Sequence, residues 1–328
     1  MVADYIKRFA RLHTDASPAR WSETTRHRAP HKPLLLLTIM DFFAQGTITS
    51  NLIELTPDLG ELFTLYWTRV MSPDRRGNIA LPFFHLKSDG FWHLVPRPGK
   101  EAILAAVRQI RSVHQLCDTI LGARLDDELY SLLCVEESRN LLRAVLIETY
   151  FTPDTQPALV EQGSVNLEAF HYSQALLEWA RSHQAKEELV DKERYRPAAR
   201  NQGFRRAVVA AYDRRCALCG IRMLTPGGHS VVDAAHIVPW SISHNDDPRN
   251  GMTLCRLCHW TFDEGLIGVS LRYVVIVSPQ LTANHNIPGH LLTLADRSII
   301  GPSDQHLSLI HISEPTRPLY ISYAVFCL

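Results

Sequence analysis

The chain has 328 residues, of which 46% are hydrophobic and 21% are charged, and its formal net charge at pH 7 is zero. This length allows two domains, and the composition is ordinary for a soluble globular protein. Zero net charge excludes a global attraction to an anionic partner, so local clusters must supply any such attraction.

Nothing in the hydropathy pattern indicates a membrane protein. The longest apolar run, LLLLTIM at 34–40, is much shorter than the roughly 20 residues of a membrane span. The N-terminus carries charges throughout, which is not typical of a signal peptide. We therefore expect a cytoplasmic protein with no membrane partner.

Helical patterns dominate the first 70 residues. Residues 3–13 suit a short helix. The segment RAPHKPLLLLTIMDFFAQG (28–46) predicts a buried core helix, with Pro33 near its start and Gly46 at its stop. A further helix is predicted over 56–70, with Thr56 as its N-cap and a proline at its first position.

The pattern changes at NIALPFFHLKSDGFWHLVP (78–96). Two apolar and aromatic runs flank Ser88-Asp89-Gly90, an arrangement that predicts a β-hairpin. Helical periodicity returns at 99–122 and 126–150. We therefore predict a mixed α/β N-terminal domain over residues 1–151.

Residues 152–196 are predicted to connect this domain to a second one. They contain a polar helical pattern near 165–190 and the charged stretch KEELVDKERYRP. A helix over 202–213 then leads into the first cysteine pair. We place the second domain at 197–306.

Four of the seven cysteines form two Cys-x-x-Cys pairs, Cys216/Cys219 and Cys255/Cys258. Four thiolates form a tetrahedral ligand set that suits structural zinc. A redox-active pair is the alternative, but redox chemistry needs only one such pair. We favour zinc, which would stabilise a module too short to build a large core.

A second set of polar residues lies among these cysteines: His236, Asn250, His259 and Asp263. His259 and Asp263 are four residues apart, so they share one face of a helix and can chelate one divalent cation. His236 follows the strand-like VVDAA, and Asn250 precedes Gly251 in a loop. The sequence therefore predicts two metal sites.

The motifs DAAHIVPW, DDPRNGMTLC and CHWTFDEG resemble those of His-Asn-His (HNH) endonucleases, in particular restriction-type members with a zinc knuckle. The resemblance covers about 197–300 and implies a ββα-metal fold. It implies that His236 is the general base, that Asn250 ties the loop and orients His236, and that His259 binds the catalytic metal. Asp263 matches a second helical ligand of some members.

One position departs from the family pattern. Many members carry a metal ligand immediately before the base, but Ala235 cannot ligate. Asp233 lies on the same strand face and either supplies the missing carboxylate or supports His236. The resemblance implies Mg²⁺ or another divalent metal at the scissile phosphate, with His236 activating water.

Residues 193–222 are strongly basic, and only two acidic residues oppose the eight arginines. Beside a nuclease motif we interpret this run as phosphate contacts, with a solvated charged face as the alternative. The run comprises Arg194, Arg196, Arg200, Arg205, Arg206, Arg214, Arg215 and Arg222.

The segments RAPHKPLLLLTIMDFFAQG and LPFFHLKSDGFWHLV resemble the sulfur-recognising domain of type IV, modification-dependent restriction enzymes. The resemblance covers about 1–150 and implies binding to phosphorothioate DNA. Sulfur is softer than oxygen and accepts hydrogen bonds poorly, so an apolar pocket around Pro82 and Phe84 would favour it, although core packing is the alternative for the aromatic residues. Leu81 stands where relatives often carry Tyr. The candidate phosphate-binding cations are His31, Lys32, Arg69, Arg75 and Arg76.

The end of the chain has a different origin in our interpretation. The string LSLIHISEPTR (307–317) resembles the translation of a transposon-end sequencing adapter. We therefore expect 307–328 to be non-native and the natural C-terminus to be missing. A genuine terminal strand is the alternative.

The sequence as a whole predicts an α+β protein, with a mixed α/β DNA-recognition domain followed by a zinc-stabilised ββα-metal nuclease domain. The predicted activity is metal-dependent cleavage of double-stranded DNA, directed to phosphorothioate. The rivals are a non-catalytic zinc-stabilised DNA-binding protein and a nuclease, for DNA or RNA, that ignores modification. The oligomeric state, monomer or homodimer, stays open.

Overall fold

The structure is a computed structural model that describes residues 2–182, 194–225, 228–270, 272–283, 285–304 and 307. The chain forms two compact units. One comprises Met1–Leu167 with Leu224–His229, and the other Glu168–Met223 with Ser230–Leu328. Apart from residue 307, the tail predicted to be non-native lies outside the described residues.

The first unit consists mainly of helices. They are α1 (Val2–Phe9), α2 (His31–Ala44), α3 (Pro57–Val70), α4 (Ala80–His85), α5 (Glu101–Ala106), α6 (Val113–Thr119), α7 (Asp127–Cys134), α8 (Glu136–Tyr150) and the first part of α9 (Gln156–Ser182). Strands β1 (Trp92–Pro96) and β2 (Ile120–Leu125) pair antiparallel, with Trp92 opposite Leu125.

Helix α2 is the centre of this unit, as its apolar sequence predicts. Eleven of its 14 residues are buried, and it packs against α3, α4, α7 and α8. The chain turns away just after the helix at Gly46, whose φ of +68° lies in the left-handed region that glycine adopts without strain. The predicted core helix is confirmed.

Helix α3 begins where its capping residues predict. The hydroxyl of Thr56 accepts a hydrogen bond from the Leu59 N–H at 3.2 Å, and Pro57 occupies the first helical position. A side-chain cap satisfies one of the backbone donors that a helix start leaves free. The predicted start of α3 depends only on residues that are neighbours in the sequence, and it is confirmed.

The hairpin predicted at 78–96 is wrong. Only its second run is a strand, β1, while the first run forms α4 and a 3-10 turn over Leu86–Asp89. A short apolar run fits a buried helix as well as a strand. The helical arrangement places the Phe83 carbonyl where the Trp92 indole donates to it at 2.8 Å.

The helical pattern predicted over 99–122 is also interrupted. It contains α5 and α6, and its last residues begin β2. Gly122 lies close to the backbone of Ile53: an added Cβ would lie 2.5 Å from that residue's carbonyl oxygen. Ile53 and Ala123 exchange backbone hydrogen bonds, which helical periodicity does not reveal.

In its described residues the second unit contains the remainder of α9 and the α-helices α10 (Pro197–Ala211), α11 (Trp240–Ser243) and α12 (Arg256–Asp263). Its strands are β3 (Val232–His236), β4 (Gly251–Cys255), β5 (Ile267–Val269) and β6 (Val275–Val277), which form the antiparallel pairs β3–β4 and β5–β6.

The pair β3–β4 followed by α12 forms the predicted ββα element. His236 lies opposite Gly251 and Val232 lies opposite Cys255, so the ends of the two strands carry predicted site residues. Helix α10 packs on both strands. The predicted α+β class is confirmed. In the described part of the chain, no helix is both long and apolar enough to cross a membrane.

Candidate functional site

Four cysteine thiols meet at one point of the second unit. Cys216 and Cys219 follow α10, Cys255 ends β4, and Cys258 lies in the first turn of α12. Their sulfur atoms all lie within 4.8 Å of one another. Hydrogen bonds among the thiols lower the pKa of Cys216 and raise the pKa values of Cys219 and Cys258.

The sulfur geometry fits tetrahedral zinc. With zinc–sulfur bonds of about 2.3 Å, the edges of such a tetrahedron are about 3.8 Å long. The sulfurs of Cys219 and Cys255, which belong to different Cys-x-x-Cys pairs, are 3.7 Å apart, so the two pairs form one set of four sulfurs and not two separate redox pairs. The donor set therefore suits a zinc ion better than the rival redox pair.

His236, at the end of β3, is held on two sides. Its ring stacks on that of Phe204 from α10, with centroids 3.9 Å apart and planes 1° apart. Its Nε2 atom is 3.2 Å from Oδ1 of Asp246. The side chain remains 23% exposed, so water can reach a ring whose orientation is fixed.

Asp246 was not among the residues predicted from the sequence. It is buried, and its Oδ2 accepts hydrogen bonds from the Tyr172 hydroxyl at 2.8 Å and from Arg200 at 3.0 Å. Burial alone would raise the pKa of Asp246, but the hydrogen bonds from His236, Tyr172 and Arg200 hold it below its usual value. The carboxylate is therefore ionised at neutral pH.

Asn250 is buried and ties together the loop after β3. Its amide group donates to the carbonyls of Val238 and Asn245 at 3.1 and 3.0 Å, and its Oδ1 accepts from the Val238 N–H at 2.9 Å. Asn250 thus acts on the backbone that follows His236, while Asp246 and Phe204 hold the ring.

Gly251 makes this arrangement sterically feasible. A Cβ atom there would lie 2.5 Å from Val208 Cγ2 and 2.9 Å from Phe204 Cζ. These distances are too short for packed carbon atoms. The glycine therefore lets β4 approach α10 and leaves Phe204 in place under His236.

Two of the three predicted ligands of the second metal site lie close together. His259 and Asp263 share one face of α12, with 3.7 Å between Nε2 and Oδ2. Asp233 instead pairs with Arg205 at 2.6 Å. Among the described residues, only the cysteines bring three or more potential metal ligands within 4.8 Å, so Asp233 is not gathered with the other two.

In the first unit, His31 is not the cation that the sequence predicted. It lies between Trp21 and Trp67, with ring centroids 5.4 and 4.7 Å away. Burial lowers the pKa of His31 from 6.5 to about 4. The ring is therefore neutral at pH 7 and packs half-buried between the two indoles.

We expect this histidine to weaken the first unit in acid. Unfolded His31 takes up a proton below pH 6.5 and the buried ring only near pH 4, so the unfolded state binds more protons in that window and stability falls as pH falls. The loss is at most about 3 kcal/mol. Urea unfolding of wild type and His31→Asn between pH 7 and 4 measures it, and equal pH slopes for the two proteins would contradict this assignment.

Lys32 and the residues of the predicted sulfur pocket are also interior. Lys32 is buried and pairs with Asp89 at 2.6 Å, so its charge is already compensated. Pro82 and Phe84 lie in the buried face of α4, and Phe84 is fully buried. Helix α4 directs these two side chains towards the core, and their contact with sulfur stays a prediction.

Three predicted cations do lie at the surface of the first unit, Arg69, Arg75 and Arg76. The Arg69 guanidinium donates to Gln162 at 2.8 Å. That of Arg75 lies 5.5 Å from the centre of the Trp21 ring, a distance typical of a cation–π contact. These three residues remain candidates for phosphate binding.

Half of the predicted arginine run is already engaged by carboxylates. The ion pairs are Arg196 with Glu168, Arg200 with Asp246, Arg205 with Asp233, and Arg222 with Asp213. Arg206 lies 5.0 Å from the Phe170 ring, and Arg214 is half-buried. Arg194 and Arg215 are exposed and fit phosphate contacts.

Comparisons with known protein families match both units. The HNH endonuclease family matches residues 216–270, which hold the cysteine cluster, His236, Asn250 and His259. The family described as ScoMcrA-like, DNA sulfur-binding domain matches residues 8–168. No curated protein matches the chain. The chain therefore carries a ScoMcrA-like DNA sulfur-binding domain followed by an HNH endonuclease domain.

Proposed function

We propose that this protein is a metal-dependent endonuclease that hydrolyses phosphodiester bonds in double-stranded DNA carrying phosphorothioate. The observation that carries the proposal is the held, partly exposed ring of His236 within an HNH domain. An imidazole next to solvent can take a proton from water.

In this proposal each residue of the site in the second unit has its own role. His236 accepts a proton from the attacking water, and Asn250 keeps the following loop in place. His259 and Asp263 would hold Mg²⁺ or another divalent cation, with remaining positions left to water and substrate. A cation bound there would neutralise charge on the scissile phosphate and the leaving 3′ oxygen. The four cysteines would hold zinc, which stabilises the fold.

In this proposal the first unit recognises the target DNA. Its match to a DNA sulfur-binding domain supports recognition of phosphorothioate. Exposed arginines such as Arg75 and Arg76 suit contacts to backbone phosphates of any sequence.

The test is digestion of two plasmids of identical sequence, one with phosphorothioate and one without, by the full chain with Mg²⁺ or Mn²⁺. We expect the modified plasmid to be cut at least about tenfold faster, equivalent to about 1.4 kcal/mol. A chelator should stop cleavage, and added Mg²⁺ or Mn²⁺ should restore it. Equal rates would favour a nuclease that ignores modification, and binding without cleavage would favour a non-catalytic protein.

A further inference from the structure

The two oxygens of Asp246 face different partners. Oδ2 accepts from the Tyr172 hydroxyl at 2.8 Å and from two nitrogens of Arg200 at 3.0 and 3.3 Å. Oδ1 faces Nε2 of His236 at 3.2 Å. Because Tyr172 and Arg200 both donate to the same oxygen, they fix which side of the carboxylate meets the histidine.

This arrangement determines the tautomer of His236. An ionised carboxylate only accepts hydrogen bonds, so Nε2 must carry the proton that it shares with Asp246. Nδ1 is then the nitrogen with a free lone pair. The stacked ring of Phe204 holds the plane of the imidazole and so limits its rotation.

We propose that Asp246 is a positioning residue that keeps His236 in the Nε2–H tautomer, so that Nδ1 is the base nitrogen. This inference rests on the proposed function, in which His236 activates water. The competing interpretation is structural: Asp246 would only neutralise Arg200, whose guanidinium also lies 4.4 Å from the Trp240 ring centre.

Two substitutions of Asp246 distinguish these interpretations. In Asp246→Asn, the amide oxygen must stay with Arg200, because a guanidinium can only donate, and the Tyr172 hydroxyl donates to the same oxygen. The amide NH₂ group then faces Nε2 of His236 and forces the proton onto Nδ1. In Asp246→Ala no group opposes Nε2, and water can accept its proton. Asparagine is closer in shape to aspartate than alanine is, but it should therefore lower the cleavage rate more.

The measurement is kcat for cleavage of modified plasmid, with DNA affinity and thermal stability determined in parallel. We expect Asp246→Ala to lower kcat by about 10- to 100-fold, as loss of an orienting partner does. Asp246→Asn should lower it by about 10³- to 10⁴-fold, the size of the wrong-tautomer effect in the serine-protease triad. DNA affinity should not change in either variant.

Asp247 is the matched control. It is equally buried and pairs with Arg249 at 2.6 Å. Both substitutions of Asp247 should act on stability. Asparagine should lower the stability less than alanine does, which is the usual order for a structural aspartate. The same order at Asp246 would overturn the positioning role.

A readout independent of activity separates this inference from the proposed function. Nitrogen-15 NMR of histidine-labelled protein, assigned with His236→Gln, should show the His236 proton on Nε2 in wild type and on Nδ1 in Asp246→Asn. An Nε2–H signal retained in Asp246→Asn would overturn the inference whatever the activity. Wild type with the expected tautomer but no cleavage of any DNA would support the tautomer that Asp246 sets and refute the nuclease.

Discussion

We expect His236→Ala to lower kcat for DNA cleavage by about 10²- to 10⁴-fold, the usual contribution of a general base. The ring is partly exposed at the end of β3, where water can reach it. It is not one of the clustered thiols, so zinc content should stay the same. DNA affinity should also stay the same, because the base acts on water and not on DNA. Single-turnover cleavage, a binding titration at one salt concentration and metal analysis measure the three quantities.

His290→Ala is the matched control for this variant. His290 is exposed, and the hydrogen bond that it accepts from Thr293 uses its backbone carbonyl, which alanine retains. Its kcat should equal that of wild type. Near wild-type turnover in His236→Ala would show that another group activates the water, and the role given to His236 would then be wrong.

Local chemistry explains which parts of the fold could be predicted from the sequence. Thr56 and Pro57 specify the start of α3 through contacts within four residues. The run 80–85 carries no such signal, and its apolar side chains suit a strand equally well. It forms a helix that packs against α2, which lies far earlier in the chain, and its Phe83 carbonyl accepts a hydrogen bond from the Trp92 indole.

The same distinction applies to the site. The spacing of the motifs predicts the four cysteines, His236, Asn250 and His259. Asp246 could not be predicted, because its role depends on Tyr172 and Arg200, which lie 74 and 46 residues away. The acidic pair in NDDPRN was the only sequence signal that could have pointed to it.

In the first unit, the sequence alone could not show which basic residues are available as cations. His31 and Lys32 are basic residues beside an apolar segment, and sequence alone predicts that they are cations. The structure packs the half-buried His31 between two indoles and pairs Lys32 with Asp89, 57 residues away. Composition gives the number of cations, but only tertiary contacts determine which of them can meet a phosphate.

The second large effect is expected from Cys216→Ser, which should unfold the second unit. Cys216 is fully buried, and its sulfur belongs to the four-thiol cluster. Structural zinc contributes roughly 10–16 kcal/mol of apparent binding free energy in small zinc modules, comparable to the whole stability of about 5–15 kcal/mol of a typical domain. We expect bound zinc to fall from about one per chain towards zero, and hydrogen exchange to accelerate across β3, β4 and α12. Helix α2, in the core of the first unit, should stay protected.

Cys134→Ser tests whether loss of any thiol has this effect. Cys134 is exposed and lies outside the cluster, so the variant should keep its zinc, its exchange pattern and its cleavage rate. Metal analysis and hydrogen exchange on both variants give the comparison. A soluble Cys216→Ser protein with full zinc content and normal protection of β3 and α12 would show that the thiols do not hold a structural metal. The fold of the second unit would then depend on its hydrophobic core, which includes the packing of α10 against β3 and β4.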